Sequence, residues 1–118
     1  MKGDALFIQN ESGIQHTYKL DEVFSILSSL HDVFGKEWFP LANNVEKMYH
    51  GDEKPGLGMT IYNMNPGDTL HAQGSSYLGV VLDEVGILEW NREKCGICWR
   101  LLNYMGGKST LRTLLTRG

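Results

Sequence analysis

The feature that most constrains the fold is the run GSSYLGVVLDEVGILEWNREKCGICWRLL, residues Gly74 to Leu102. Leu78, Val81, Leu82 and Val85 recur at the three-and-four spacing of one buried helix face. Ser75 or Ser76 can cap the start of that helix by accepting a backbone N–H. Gly86 can take positive φ just past its end. Ile87 to Trp90 is then a short β-like run, Asn91 to Lys94 is polar and turn-prone, and Ile97 to Leu101 is a second β-like run. The order is helix, glycine stop, strand, basic turn, strand.

That order resembles the second half of a winged helix-turn-helix domain. In that superfamily a recognition helix ends in a glycine, and an apolar strand leads into a hairpin wing. Ser75–Val85 would be the helix, Gly86 the stop and Ile87–Leu101 the wing. The resemblance covers about a quarter of the chain and is one of pattern. It implies an α+β fold with a winged-helix-like core of about three helices and a C-terminal β-hairpin wing.

The rest of the chain adds to this. Ala5–Ile8 and Ile14–Tyr18 are short apolar runs around the turn formers Asn10, Ser12 and Gly13, which predicts an N-terminal β-hairpin over residues 1–18. Leu20, Val23, Phe24, Leu27, Leu30 and Phe34 form one apolar stripe, Asp21 and Glu22 occupy the first turn, and Gly35 follows: a helix. Pro40 suits the first position of a second helix carrying Leu41, Val45, Met48 and Tyr49 on one face, with Gly51 as its end. Residues 52–74 hold a Lys54-Pro55-Gly56 break, a β-like Met59–Met64 run and an Asn65-Pro66-Gly67-Asp68 turn. A helix-turn-helix usually has a turn of a few residues. This longer connection is either an insertion with its own strand, or the two helices flanking it are not such a pair. The expectation is one domain over 1–118: the hairpin, a core over 19–104 with the 52–74 insertion, and a basic tail or short helix over 105–118.

Size and composition fit such a domain. The 118 residues are enough for one core, and 42% apolar with 21% charged is ordinary for a globular chain. No apolar run approaches a membrane span, and residues 1–11 lack the apolar stretch of a secretory signal. Two cysteines are not a disulfide scaffold, and the cytosol is the simplest compartment.

Charge is distributed unevenly. Residues 1–90 hold five Lys/Arg against thirteen Asp/Glu, whereas 91–118 hold six against one. The basic set is Arg92, Lys94, Arg100, Lys108, Arg112 and Arg117. A polyanion-binding wing and tail would have this pattern, and so would a basic end that merely neutralises the acidic remainder.

Chemical motifs are sparse. Cys95-Gly96-Ile97-Cys98 is a CxxC, but zinc needs four ligands, no second pair exists, and His16, His31, His50 and His71 are scattered. Cysteines three apart on a strand also face opposite sides, so Cys95 and Cys98 read as two ordinary thiols and no cofactor is expected. Gly106-Gly107-Lys108-Ser109-Thr110 ends like a phosphate loop, but Leu102 stands where the first glycine belongs. Pro66–His71 lacks the further ligands of a metal-binding strand. No H-E-x-x-H, G-x-S-x-G or GxGxxG is present, so no enzyme is expected. Tyr62, Trp38, Trp90 and Trp99 sit beside aliphatic residues and read as core, with Trp90 and Trp99 pairing across the hairpin.

The leading expectation is therefore binding of double-stranded DNA by a small regulator of transcription or of a mobile element. Gln73, Ser75, Ser76 and Tyr77 would face the bases or phosphates, and Arg92, Lys94 and Arg100 would hold the backbone. A homodimer would supply affinity for a short site, although no heptad announces one. The rival is a protein-interaction module presenting the acidic surface of residues 1–90 to a nucleic-acid-associated partner. A small enzyme or metal protein is a third option. No membrane partner is expected.

Overall fold

Helix α1, Leu20–Phe34, is where the stripe predicts it, and it carries the centre of the core. Leu20, Val23, Ile26, Leu27 and Leu30 are buried along it. Gly35 stops it at φ 60°, with its N–H donating to the His31 carbonyl. The structure is a computed structural model that describes residues 5–9, 13–93, 96–102 and 113. It is an α+β fold with two small antiparallel sheets.

The two strands of the N-terminal hairpin pair as expected, and the turn formers Asn10 and Ser12 lie outside the described residues. β1, Ala5–Gln9, pairs with β2, Gln15–Lys19, in a register that sets Leu6 opposite Tyr18 and Ile8 opposite His16. Leu6, His16 and Tyr18 are buried while Phe7 and Thr17 face outward, the period-two pattern of a strand with one covered face. Lys19 leads straight into α1.

The second helix starts later than Pro40 predicts. Phe39–Pro40 is instead β3, an edge strand in which Phe39 lies opposite Trp99. Phe39 is fully buried. Proline, with no N–H to donate, is tolerated at a sheet edge. Helix α2 is Val45–His50, capped by Asn44 Oδ1, which accepts the Lys47 N–H at 3.0 Å. Gly51 closes it in the left-handed region at φ 74°.

The expected strand between Met59 and Met64 is a helix. α3 spans Leu57–Met64 and buries Leu57 and Ile61, four residues apart, against α1. Thr60 and Ile61 favour strands locally, but the three-and-four spacing of Leu57, Ile61 and Met64 suits a helix laid on α1, and packing decides. The Asn65–Asp68 turn is present: Asp68 N–H donates to the Asn65 carbonyl at 3.0 Å, Pro66 precedes Gly67, and Gly67 takes φ 90°. Helix α4, Thr69–Gln73, follows, with Asp68 Oδ1 accepting the His71 N–H at 3.0 Å. The helix pair that meets across the short 65–68 turn is thus α3 and α4, not α2 and the helix that begins at Ser75.

Gly74 separates α4 from α5, Ser75–Glu84, as the N-cap of the latter, its carbonyl accepting the Tyr77 and Leu78 N–H groups at 3.1 and 3.0 Å. Neither Ser75 nor Ser76 acts as a cap. Leu78 and Leu82 are fully buried, Val81 and Val85 are half-buried, and Gly86 follows at φ 80°. β4, Leu88–Trp90, and β5, Cys98–Leu101, form the C-terminal hairpin, with Trp90 opposite Trp99 as the sequence predicts. The three-stranded sheet runs β3-β5-β4, so the return strand of the hairpin is central. Trp90 packs half-buried beside the core and Trp99 lies within it; Trp38, expected in the core, is exposed. The tail at 105–118 lies outside the described residues, apart from Thr113.

Candidate nucleic-acid interface

Two close approaches position α4 and α5. At Gly74, an added Cβ would come within 2.6 Å of His16 Nδ1 and closer still to the Tyr18 hydroxyl. The hairpin therefore presses on the junction between the two helices. At Gly79, a Cβ would lie 2.6 Å from Trp99 Cε2, so α5 sits flat against the indole of β5. Glycine at 79 is a packing residue, facing inward on the sheet rather than outward.

A polar cluster ties α4 to α1. His71 Nε2 lies 2.6 Å from Glu22 Oε2, and Asn65 donates its amide to the same oxygen at 2.9 Å. The Tyr18 hydroxyl donates to the His71 carbonyl at 2.8 Å, and its ring lies 4.6 Å from the imidazole. The hydrogen bond with Glu22 raises the His71 pKa; burial opposes this, and the charges of Glu22 and Asp68 add to it. Burial would lift the Glu22 pKa, but the His71 hydrogen bond and charge, the Asn65 amide and the Lys19 backbone together bring it below the usual value. Burial, then the charges of Glu22 and Asp68, push the Tyr18 phenol up, so Tyr18 is a neutral donor. His71 is thereby committed to the interior framework.

Beside these contacts, part of the surface of α4 and α5 is open. Gln73 is exposed, Ser76 half-buried, Tyr77 37% exposed and Val80 52% exposed. Tyr77 and Val80, three residues apart, share one side of α5, and Gln73 is the last residue of α4. Tyr77 stacks on His16 with ring centroids 5.6 Å apart, which steadies its ring on the surface. Ser75, expected to face DNA, is fully buried, because it precedes Leu78 and Gly79 on the inward side. Sequence reading missed Val80, which is exposed on α5 beside Tyr77; its spacing of three from Tyr77 was the available signal.

The basic residues separate into two groups. Arg92 is exposed in the β4–β5 connection and takes φ 62°. Arg100 lies next to Trp99 on β5, so it points to the sheet face away from α5. Its Nε donates to Glu89, directly opposite in the sheet, and its guanidinium lies 4.8 Å from the centroid of the Trp38 ring. Arg100 is thus directed away from α5 and engaged by Glu89 and Trp38. Lys94 lies outside the described residues, as does Cys95; Cys98 is a free, half-buried thiol on β5. Among the described residues no group of three or more His, Cys, Asp or Glu side chains is arranged to hold a metal. No helix among them is long and apolar enough to cross a membrane.

The nearby carboxylates are largely engaged. Asp68 accepts from His71 N–H, Glu22 from Asn65 and His71, and Asp83 from Trp90 N–H at 3.2 Å. Glu84 is exposed at the far end of α5. Comparison with family models, curated proteins and solved structures finds no match for this chain.

Proposed function

We propose that the protein is a winged-helix regulator that binds double-stranded DNA, acting in transcription or on a mobile element. The observation that carries this reading is a set of uncharged, hydrogen-bonding surface side chains, Gln73 at the end of α4 and Ser76 and Tyr77 at the start of α5, with α5 held against a hairpin whose connection exposes Arg92. The order of elements supports it. α1, β3, a helix pair joined by residues 65–68 and the β4–β5 hairpin follow one another, and the strand after the first helix joins the hairpin's return strand. In this scheme α3 and α4–α5 are the helix-turn-helix, β4–β5 is the wing, and α2 is the added element. An α-helix fits the major groove, and a wing cation adds a phosphate contact.

The mechanism places the α4–α5 face in the groove with Arg92 on the backbone. Ser75 and Arg100 drop out of the contact set, for the reasons of burial and direction above. Fluorescence anisotropy with labelled duplexes, titrated with salt, tests it. Affinity should fall steeply with salt, and Arg92→Ala should flatten the log–log slope by about 0.9, one phosphate contact. Absence of duplex binding at low salt overturns the proposal.

A second reading, an acidic protein-interaction surface, rests on a different observation. Asp21, Glu22 and Asp68 line an open depression of about 700 Å³ between α1 and the 65–68 turn. A basic partner captured there, with binding weakened by Asp21→Asn and no affinity for duplex, would favour it.

A further inference from the structure

The N-terminal hairpin leaves a strand edge unpaired. β1, Ala5–Gln9, bonds to β2 on one side, and among the described residues no backbone group of Ala5–Gln9 bonds to anything else. In an antiparallel ladder, alternate residues of an edge strand turn their N–H and C=O groups away from the partner strand. Such an edge is a template for another strand unless charge, proline or a covering element blocks it. The β1 sequence, ALFIQ, has no charge and no proline. β2, by contrast, ends on the exposed Lys19 and runs straight into α1. We infer that β1 pairs antiparallel with β1 of a second copy of this chain, joining two hairpins into one sheet of order β2-β1-β1-β2. This goes beyond the DNA-binding reading and does not depend on it.

The strand is complementary to itself. Full overlap of Ala5–Gln9 with its own antiparallel copy sets Phe7 opposite Phe7, Leu6 opposite Ile8 and Ala5 opposite Gln9. Side chains alternate between the faces of a strand, and this register keeps the alternation intact across the junction. Leu6, buried, and Ile8, partly buried against the core, meet on the inner face. Phe7, 48% exposed, meets its counterpart on the outer face. An aromatic side chain buries about 150–250 Å², so each Phe7 holds about 100 Å² still to be covered. Opposed aromatic residues are among the pairs that stabilise a sheet. A two-fold axis at Phe7 closes the assembly at two copies, because both free β1 edges are then used. A two-stranded ribbon is marginal by itself, and the joined sheet supports it. The contact is smaller than a standard interface, so association is reversible and depends on concentration.

The test is sedimentation of the full chain without DNA over a concentration series, with amide hydrogen exchange followed at both ends of the series. The average mass should rise from one copy toward two, and exchange at alternate amides of β1 should slow as it does. Phe7→Lys sets like charges directly opposite each other and should weaken association about tenfold. Phe7→Thr keeps a good strand former and removes only the aromatic pair, so it should weaken association by less. The mass of a single copy at every concentration overturns the inference. So does growth past two copies, and so does a dimer that leaves the β1 amides unprotected or survives Phe7→Lys unchanged. The exchange measurement uses the unaltered chain, so a variant that fails to fold does not obscure the outcome. With no duplex present, either result leaves DNA binding to its own salt titration.

Discussion

Replacing Glu22 by Gln isolates the charge that joins α1 to the start of α4. Glutamine keeps the shape and retains an acceptor for the Asn65 amide, but it removes the charge that His71 meets at 2.6 Å. The two side chains are only 17% and 18% exposed, so solvent screens the pair weakly. A hydrogen bond to a charged group contributes about 1.5–3 kcal/mol and a neutral one about 0.5–1.5, so the loss is about 1 kcal/mol. The pH dependence identifies the cause. The His71 pKa is raised on folding, so its contribution is complete below the unfolded value of 6.5 and fades as pH rises through the folded value. The Glu22 pKa is lowered on folding, so its contribution is complete above 4.5 and fades as pH falls through the folded value. Wild type and variant should therefore differ most between those limits. In urea, with a slope of about 2 kcal/mol per molar, the midpoint should fall by about 0.5 M near pH 5.5 and by clearly less near pH 9. A midpoint difference that stays constant over that range, or a His71 ring titrating by NMR at or below the ordinary histidine value, refutes the assignment.

Gly79→Ala places a methyl against the Trp99 indole, and the overpacking should outweigh the gain in helix propensity for a net loss of about 1–2 kcal/mol. A raised melting temperature would contradict that packing. Ser75 Oγ is buried and finds no hydrogen-bond partner among the described residues, so Ser75→Ala should stabilise the fold by about 1 kcal/mol in urea unfolding and leave duplex binding unchanged. Arg92→Gly relieves a left-handed backbone, so stability should hold or rise by up to about 1 kcal/mol while duplex affinity falls. Stability and affinity falling together would count against a phosphate role for Arg92.

Much of the fold was legible where local rules and burial agree. The stripe of α1, the two apolar runs that pair as β1 and β2, and the glycines at 35 and 86 each specify their element from neighbours in sequence, and the structure follows them. The same holds for Trp90 opposite Trp99. The second helix and its Gly51 stop were read correctly, but its start at Pro40 and the element over residues 59–64 were misread, because local preference there favoured the wrong element. Pro40 is a good first helix residue, yet Phe39 gains full burial by pairing with Trp99, and that contact spans sixty residues. Thr60 and Ile61 suit a strand, yet α1 offers a surface that only a helix with Leu57 and Ile61 on one side can cover.

At the site, sequence determined which side chains were available: no cation between Thr69 and Glu84, and glutamine, serine, tyrosine and valine in their place. Tertiary structure decided which of them face outward. It buried Ser75 on the inward side of α5, turned Arg100 to the far face of the sheet beside Glu89, and tied His71 to Glu22. Helical and strand periods fix only relative directions along an element. Which side becomes the inside depends on the elements that dock against it: here the hairpin at Gly74 and the Trp99 indole at Gly79.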